Sequence, residues 1–260
     1  MRRGIVALLL AGLMILTGIV FAFFGKARPF IFPMKEVLEA HHVQHRPDAL
    51  AVYLAQATRL THYKVPPAID SQGYFERTIR VAVDNDAFRR DNLDARGLRR
   101  QIDLFDGQRV YRAELQRDRL IGSAGPLDES ESRAVQSAVM LFGIMPILKQ
   151  LQVAADRTVD LGVTEDGQEM FTIQTGSGEW TVYVDKEHLI RRLQMIRNQH
   201  QVTIDYSGYR EIEGVRLAFV ERVSADGSLL YDLFFDRIDL SPAFPAGSFS
   251  REGLVQETIR

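Results

Sequence analysis

The chain begins with an unbroken apolar run from Gly4 to Phe24, led in by Arg2 and Arg3 and closed by Gly25-Lys26-Ala27-Arg28-Pro29. About 20 apolar residues in a helix, at ~1.5 Å each, cross the roughly 30 Å hydrocarbon layer of a bilayer. A secretory h-region is only about 7–15 residues long, and Val20-Phe21-Ala22 and Gly25-Lys26-Ala27 are the only small-residue cleavage candidates. Residues 1–25 therefore read as an uncleaved single-pass anchor, the alternative being a cleaved signal segment. Arg2 and Arg3 are balanced by Lys26, Arg28 and Lys35 beyond the run, so the positive-inside bias is weak. Secretory logic puts the anchor in a bacterial inner membrane and the following domain in the periplasm. Residues 26–34 form a juxtamembrane linker, since Pro29-Phe-Ile-Phe-Pro33 ends the helix.

Lys35 to His45 has the spacing of a short helix, and Asp48 to Val65 is ambiguous between helix and strand. From Gln72 the period becomes two. Phe75, Arg77, Ile79, Val81 and Val83 alternate with Glu76, Thr78, Arg80, Ala82 and Asp84, which is strand spacing. Ala87–Asp94 and Leu98–Phe105 continue the series, and Gln108–Leu115 returns after Asp106-Gly107, a hairpin turn whose residues tolerate positive φ.

Asp128 and Glu131 supply the N-cap and N3 carboxylate of a helix running to about Gln152. Its middle, Ala138 to Leu148, is apolar on every face, so it either fills a closed barrel or lines a cavity and moves. Flexible Met140 and Met145 suit a cavity wall, and Gly143 and Pro146 are placed to kink or split the helix.

Strands resume at Thr158–Val163, Met170–Thr175, Glu179–Asp185, Leu189–Ile196, Gln201–Tyr206, Val215–Ser224 and Leu229–Asp239, spaced by turns. The pattern predicts an α+β, mostly antiparallel β fold over residues 35–252, with a tail at 253–260. About ten or eleven strands form a strongly curved sheet around a helical plug, an incomplete β-barrel.

Composition narrows the chemistry. The chain holds 32 Lys+Arg and 34 Asp+Glu, and Arg2 and Arg3 are the only charges before Lys26, so the exported part is acidic. That argues against nucleic acid as a partner. With no Cys, disulfides, thiolate metal sites and Cys nucleophiles are excluded. His41 and His45 stand at i,i+4 beside His42, but no Glu completes a His-Glu-x-x-His motif, so a solvated helix face is favoured over a metal clamp. Ser123 and Ser207 lack the Gly-x-Ser-x-Gly elbow. Asp84, Asp86, Asp91 and Asp94 do not follow EF-hand spacing and read as solvated loop residues. No catalytic constellation, cofactor fingerprint or metal set stands out, which predicts a protein that is not an enzyme. Trp180, the only Trp, alternates with Val182 and Val184 and is either core or cavity wall. Arg191 and Arg192 are strand neighbours, so at most one of them points into a cavity.

Three phrases carry a resemblance: Val182-Tyr-Val-Asp185, Leu189-Ile-Arg-Arg192, and Ile204-Asp-Tyr-Ser-Gly-Tyr-Arg-Glu-Ile-Glu-Gly-Val-Arg-Leu217. With Phe105-Asp-Gly-Gln108 and the mid-chain apolar helix in order before them, the chain from Lys35 to Glu252 resembles the periplasmic lipoprotein-carrier superfamily of LolA- and LolB-like proteins. Ala218 stands where that pattern has Pro. The resemblance implies an apolar cavity on the concave side of the half-barrel, capped by helices, with lipid or lipoprotein acyl chains as cargo. Val139, Met140, Phe142, Met145, Leu148, Trp180, Val182, Met195 and Phe219 are the expected cavity residues. The reading is a membrane-anchored, non-catalytic carrier or chaperone of envelope biogenesis. Its alternative is a protein-interaction or envelope-stress-sensing module on the same scaffold, with a partner protein. The carrier reading expects Met145→Glu to abolish lipid binding and leave the sheet folded.

Overall fold

A computed structural model of the chain describes residues 33–62, 75–117, 119–121, 124–153, 158–176 and 178–254. They belong to one compact unit, Pro33–Arg260. The expected anchor at 1–25 and nearly all of the 26–34 linker lie outside the described residues. Among those that are described, no single helix is long and apolar enough to cross a membrane.

The first helix, α1 (Pro33–Ala40), is followed by 3-10 turns at Val43–His45 and Pro47–Leu50. A meander comes next: β1 (Val52–Thr61), β2 (Phe75–Asp84), β3 (Ala87–Asp94), β4 (Arg99–Phe105) and β5 (Val110–Gln116), with the short β6 (Arg119–Leu120) and β7 (Gly125–Pro126). Two helices, α2 (Glu129–Met140) and α3 (Met145–Val153), interrupt it. The second meander is β8 (Thr158–Val163), β9 (Glu169–Thr175), β10 (Gly178–Val184), β11 (Ile190–Arg197) and β12 (His200–Ser207). It ends with β13 (Arg210–Ile212), β14 (Val215–Leu217), β15 (Val220–Ala225) and β16 (Ser228–Asp239).

One antiparallel sheet of 14 strands takes all of these except β13 and β14, in the order β6-β5-β4-β3-β2-β1-β16-β15-β12-β11-β10-β9-β8 with β7 beside β5. The first strand pairs with the last, Leu54 opposite Asp239 and Thr61 opposite Tyr231, and that pairing joins the two meanders. The sheet is large, curved and unclosed, with β6 and β8 at its two ends. It has more strands than the pattern suggests. The stretch Val215–Ser224 is two strands, because β14 leaves to pair with β13 while β15 pairs with β12. The ambiguous segment after Asp48 is a strand whose Tyr53, Ala55 and Ala57 are buried on one face.

Turn chemistry sets the register. At Asp226-Gly227 both residues have positive φ, 48° and 77°. This matches a two-residue primed turn between Ala225 and Ser228, which pair directly.

The helix expected from Asp128 to Gln152 starts as predicted, with Asp128 accepting from the Glu131 amide at 2.8 Å. It is divided in two, and α2 and α3 meet at 94°. Gly143 sits in the break at φ 83°, where an L side chain is strained. Pro146 falls in the first turn of α3, where its missing N–H is no loss. The bend lets an all-apolar segment bury every face: residues 141–148 are all buried. Ile147, Leu148 and Leu151 pack in one cluster with Phe171, Ile173, Trp180, Val182 and Leu193 from the second meander. On the opposite face of β4 and β5, Leu254 from the C-terminal segment closes a second cluster with Ile102, Leu104, Ala113 and Leu115.

Two expectations are corrected. The first helix stops at Ala40, because His42 adopts φ 58°, so His41 and His45 do not share a helix face. His41 is also fully buried rather than solvated. Among the four aspartates, Asp91 is buried within β3 and accepts from Arg89 at 3.2 Å and Arg100 at 2.9 Å, so it is an ion-paired core carboxylate.

Candidate functional site

A mainly apolar pocket of 240 Å³ lies where the α2–α3 bend meets the first strands. Leu50, Tyr53, Val83 and Phe88 form one wall, and Val139, Met140 and Pro146 the other. Lys149 marks the polar rim, its Nζ donating to the Asn85 carbonyl oxygen at 3.1 Å. A depression of 250 Å³ at the opposite end of β2–β4 is lined by Arg77, Asp94, Arg99, Arg100 and Glu114. Leu93, Leu115 and Ile121 share that lining, which is more polar than that of the pocket at the bend.

Of the nine expected cavity residues, Val139 and Met140 line the apolar pocket. Phe142, Met145, Leu148, Trp180, Val182, Met195 and Phe219 are buried in the main core, in one cluster with Ile144 and Ile147. The sheet side of the pocket is made by residues that sequence reasoning missed. Tyr53 and Val83 each stand in an alternating apolar row, but alternation does not say which row meets a helix, and Phe88 is followed on its own face by Arg90 and Asn92.

The sequence phrases 182–185 and 189–192 form a lock around one turn. Asp185 Oδ1 accepts from the amides of Glu187 at 2.8 Å and Leu189 at 3.0 Å, and Oδ2 accepts from Arg191 Nε at 2.6 Å. Burial raises the Asp185 carboxyl, but these donors outweigh it and hold the group below the usual carboxylate range. Arg191 also lies over the Tyr209 ring, 5.2 Å from its centroid, and the Tyr209 hydroxyl donates to the Ile190 carbonyl oxygen. Arg192 pairs with Asp205 at 2.6 Å. Neither arginine lines the apolar pocket.

No protein-family profile matches the sequence, and no curated protein does. Solved structures do match. A DUF1329 family protein from Desulfovibrio piger aligns over 85% of this chain and 99% of its own at 12% identity, with a TM-score of 0.53. A LolA superfamily protein from Nitrosomonas europaea aligns over 84% of this chain and 98% of its own at 10% identity, with a TM-score of 0.52. This is the LolA-like fold. At such identities the likeness covers the sheet and its helices, and the side chains must be read for themselves.

One side chain stands out inside the LolA-like sheet. Glu221 on β15 is fully buried, and neither carboxyl oxygen has a hydrogen-bond partner. It faces Tyr206 across the β12–β15 ladder, and that hydroxyl is also buried without a partner. Burial drives the Glu221 carboxyl well above its ordinary range. The Gly143 amide in the helix break pulls the other way, but it is too poorly placed to count as a hydrogen bond of ordinary geometry. Burial thus favours the protonated form of Glu221, under the hinge of the plug. Burial, and then proximity to Glu221, raises the Tyr53 and Tyr206 hydroxyls. A signal for it existed in the sequence, since an acid at 221 falls in phase with Val223 on the inward face.

Proposed function

We propose that the protein is a non-catalytic carrier or holding module for acyl chains of lipid or lipoprotein, tethered to a bacterial inner membrane by residues 1–25 and working in the periplasm. The observation that carries this reading is the apolar pocket at the α2–α3 bend, set on a LolA-like sheet. Each methylene taken out of water contributes about 0.8 kcal/mol, so about ten buried methylenes match the ~8 kcal/mol of micromolar affinity before ordering costs. A chain of that length fills the pocket and then displaces α3 side chains from the second meander, with Gly143 as the hinge. The packed state is the empty carrier, and loading exchanges plug contacts for cargo contacts.

The completeness of that packing favours a second reading, an interaction or sensing module that keeps its interior filled. One experiment separates the two. The full chain is irradiated with a diazirine-bearing fatty acid, and labelled peptides are identified by mass spectrometry. Label on 83–88 and 139–150, competed by unlabelled lipid, supports the carrier. Label confined to residues 4–24, or absent, rejects it and turns the search to protein partners.

A further inference from the structure

Three side chains from three separate elements converge away from the apolar pocket. Glu36 comes from the first turn of α1, Glu169 opens β9, and His188 stands in the β10–β11 turn. Their ligand atoms all lie within 4.8 Å of one another. His188 Nδ1 is 3.5 Å from Glu36 Oε2 and 3.7 Å from Glu169 Oε2. That nitrogen is buried and makes no hydrogen bond, although the side chain as a whole is about a third exposed, at 31%.

We propose that this cluster is a binding site for a divalent transition metal, best matched by Zn²⁺, held by His188 Nδ1 and one oxygen from each glutamate. Water takes the fourth position. The separations are too long for a hydrogen bond and leave room for an ion between the three groups. A charge-assisted N–H···O bond brings its heavy atoms to about 2.7–2.9 Å. Two ligands at ~2.0–2.1 Å from a tetrahedral ion stand about 3.3–3.4 Å apart. The observed 3.5 and 3.7 Å fit the edge of a coordination tetrahedron better than a hydrogen bond.

The donor set agrees. One imidazole with two carboxylates suits Zn²⁺ and its first-row neighbours, whereas Ca²⁺ and Mg²⁺ take all-oxygen shells with more ligands. Lys35, beside Glu36, is engaged with Glu39 at 3.5 Å, and Arg216 with Glu187 at 3.5 Å. Two carboxylates facing one imidazole are left with a net negative charge that a metal ion cancels.

The fold builds this site without a local motif. Glu169 lies opposite Val184 in the β9–β10 ladder, directly under the turn that begins at Asp185. That turn is set by the His188 amide donating to the Asp185 carbonyl oxygen at 2.8 Å. Glu36 is brought over it by α1, whose Met34 and Val37 enter the main core. The ion thus staples the first described helix to the second meander. Binding to the folded state alone stabilises it by mass action.

The test uses the full chain in detergent, stripped of metal, with Zn²⁺ titration by calorimetry, metal analysis and thermal unfolding. The expected result is one equivalent bound and a rise in melting temperature, unchanged by excess Mg²⁺. Changing a group that hydrogen-bonds a metal's ligand costs about 10–100-fold in affinity, so removing a ligand itself in His188→Ala or Glu169→Gln should cost at least about tenfold. His42→Ala and His45→Ala leave binding intact. Glu169→Gln keeps side-chain shape, so its weakened binding can be read even where His188→Ala fails to fold. No stoichiometric binding, or binding that survives Glu169→Gln, or binding lost only with His42 and His45, overturns the proposal.

Discussion

His41 and Arg216 hold each other by two hydrogen bonds: the Arg216 amide donates to the His41 carbonyl oxygen at 3.0 Å, and His41 Nδ1 donates back to the Arg216 carbonyl oxygen at 2.6 Å. A carbonyl only accepts, so Nδ1 carries the proton. Nε2 is then free to accept the long 3.5 Å contact from the Ile190 amide. The ring also meets Tyr209 edge-on at 5.6 Å. One neutral imidazole therefore ties the end of α1 to β14 and to the first residue of β11.

Burial lowers the His41 pKa from 6.5 to about 4, despite the hydrogen bond to Arg216 that raises it. The unfolded chain therefore binds more protons than the folded one between these values, and stability rises with pH across that window. The stabilisation is about 3 kcal/mol, present above the unfolded value and lost as pH falls from 6.5 towards 4. Urea unfolding of wild type and His41→Asn at pH 7.5 and 4.5 measures it. The amide of Asn keeps a donor for Arg216 but cannot titrate, so the variant should show a weaker loss on acidification. Equal losses in the two proteins would remove His41 as the cause.

Glu221 predicts the opposite slope. Its folded pKa is raised by burial, so above the unfolded value the native state holds a proton that the unfolded chain has released. Stability from this group is full at low pH and declines as pH rises through the raised value. Glu221→Gln keeps the shape and removes the titration. The variant should match wild type at pH 4 and exceed it increasingly as pH rises above the unfolded value, read as the difference in urea midpoint. A constant offset at all pH values would show that packing, not the proton, separates them.

Gly143 carries the sharp bend. Its φ of 83° strains any L residue, and an added Cβ would sit 3.4 Å from Phe235 Cζ, in the ring that meets Phe142 edge-on. Gly143→Ala should cost about 1–2 kcal/mol, seen as a lower melting temperature. At that distance the ring is in ordinary van der Waals contact, so the loss comes from the backbone, and Phe235→Leu, which only thins the core, should not recover it.

What the sequence made legible follows from how local each signal is. Alternation and Asx-Gly turns are short-range, so β2 through β5 and β8 through β12 fall close to their expected places. Gly143 and Pro146 announce the break in the apolar helix, though not its angle. The split at Ala218-Phe219 was hidden, because β15 leaves β14 only to meet β12 and β16. The pocket was half legible for the same reason. Val139 and Met140 stand out in an apolar helix, whereas Tyr53, Val83 and Phe88 face it only once β1 has paired with β16. His42 ends α1 with neither Gly nor Pro to signal it, which concealed the buried role of His41.

Met140 and Met145 separate binding from folding. Met145 is 2% exposed inside the main core, so Met145→Glu buries an unpaired charge and should cost about 3 kcal/mol or more of stability. The structure thus removes the expectation that this substitution spares the fold. Met140 is half-buried on the pocket wall. Met140→Asp puts a short carboxylate against the path of an acyl chain while water still reaches it, at a folding cost of ~1 kcal/mol or less. Its affinity for a fluorescent fatty acid should fall at least about tenfold, the equivalent of ~1.4 kcal/mol. Trp180, the only tryptophan in the chain and 1% exposed, reports on the plug in the same titration. If loading displaces α3, Trp180 emission shifts in wild type as acyl probe binds and stays fixed in Met140→Asp. Binding without any Trp180 change would confine the cargo to the pocket and leave the plug closed.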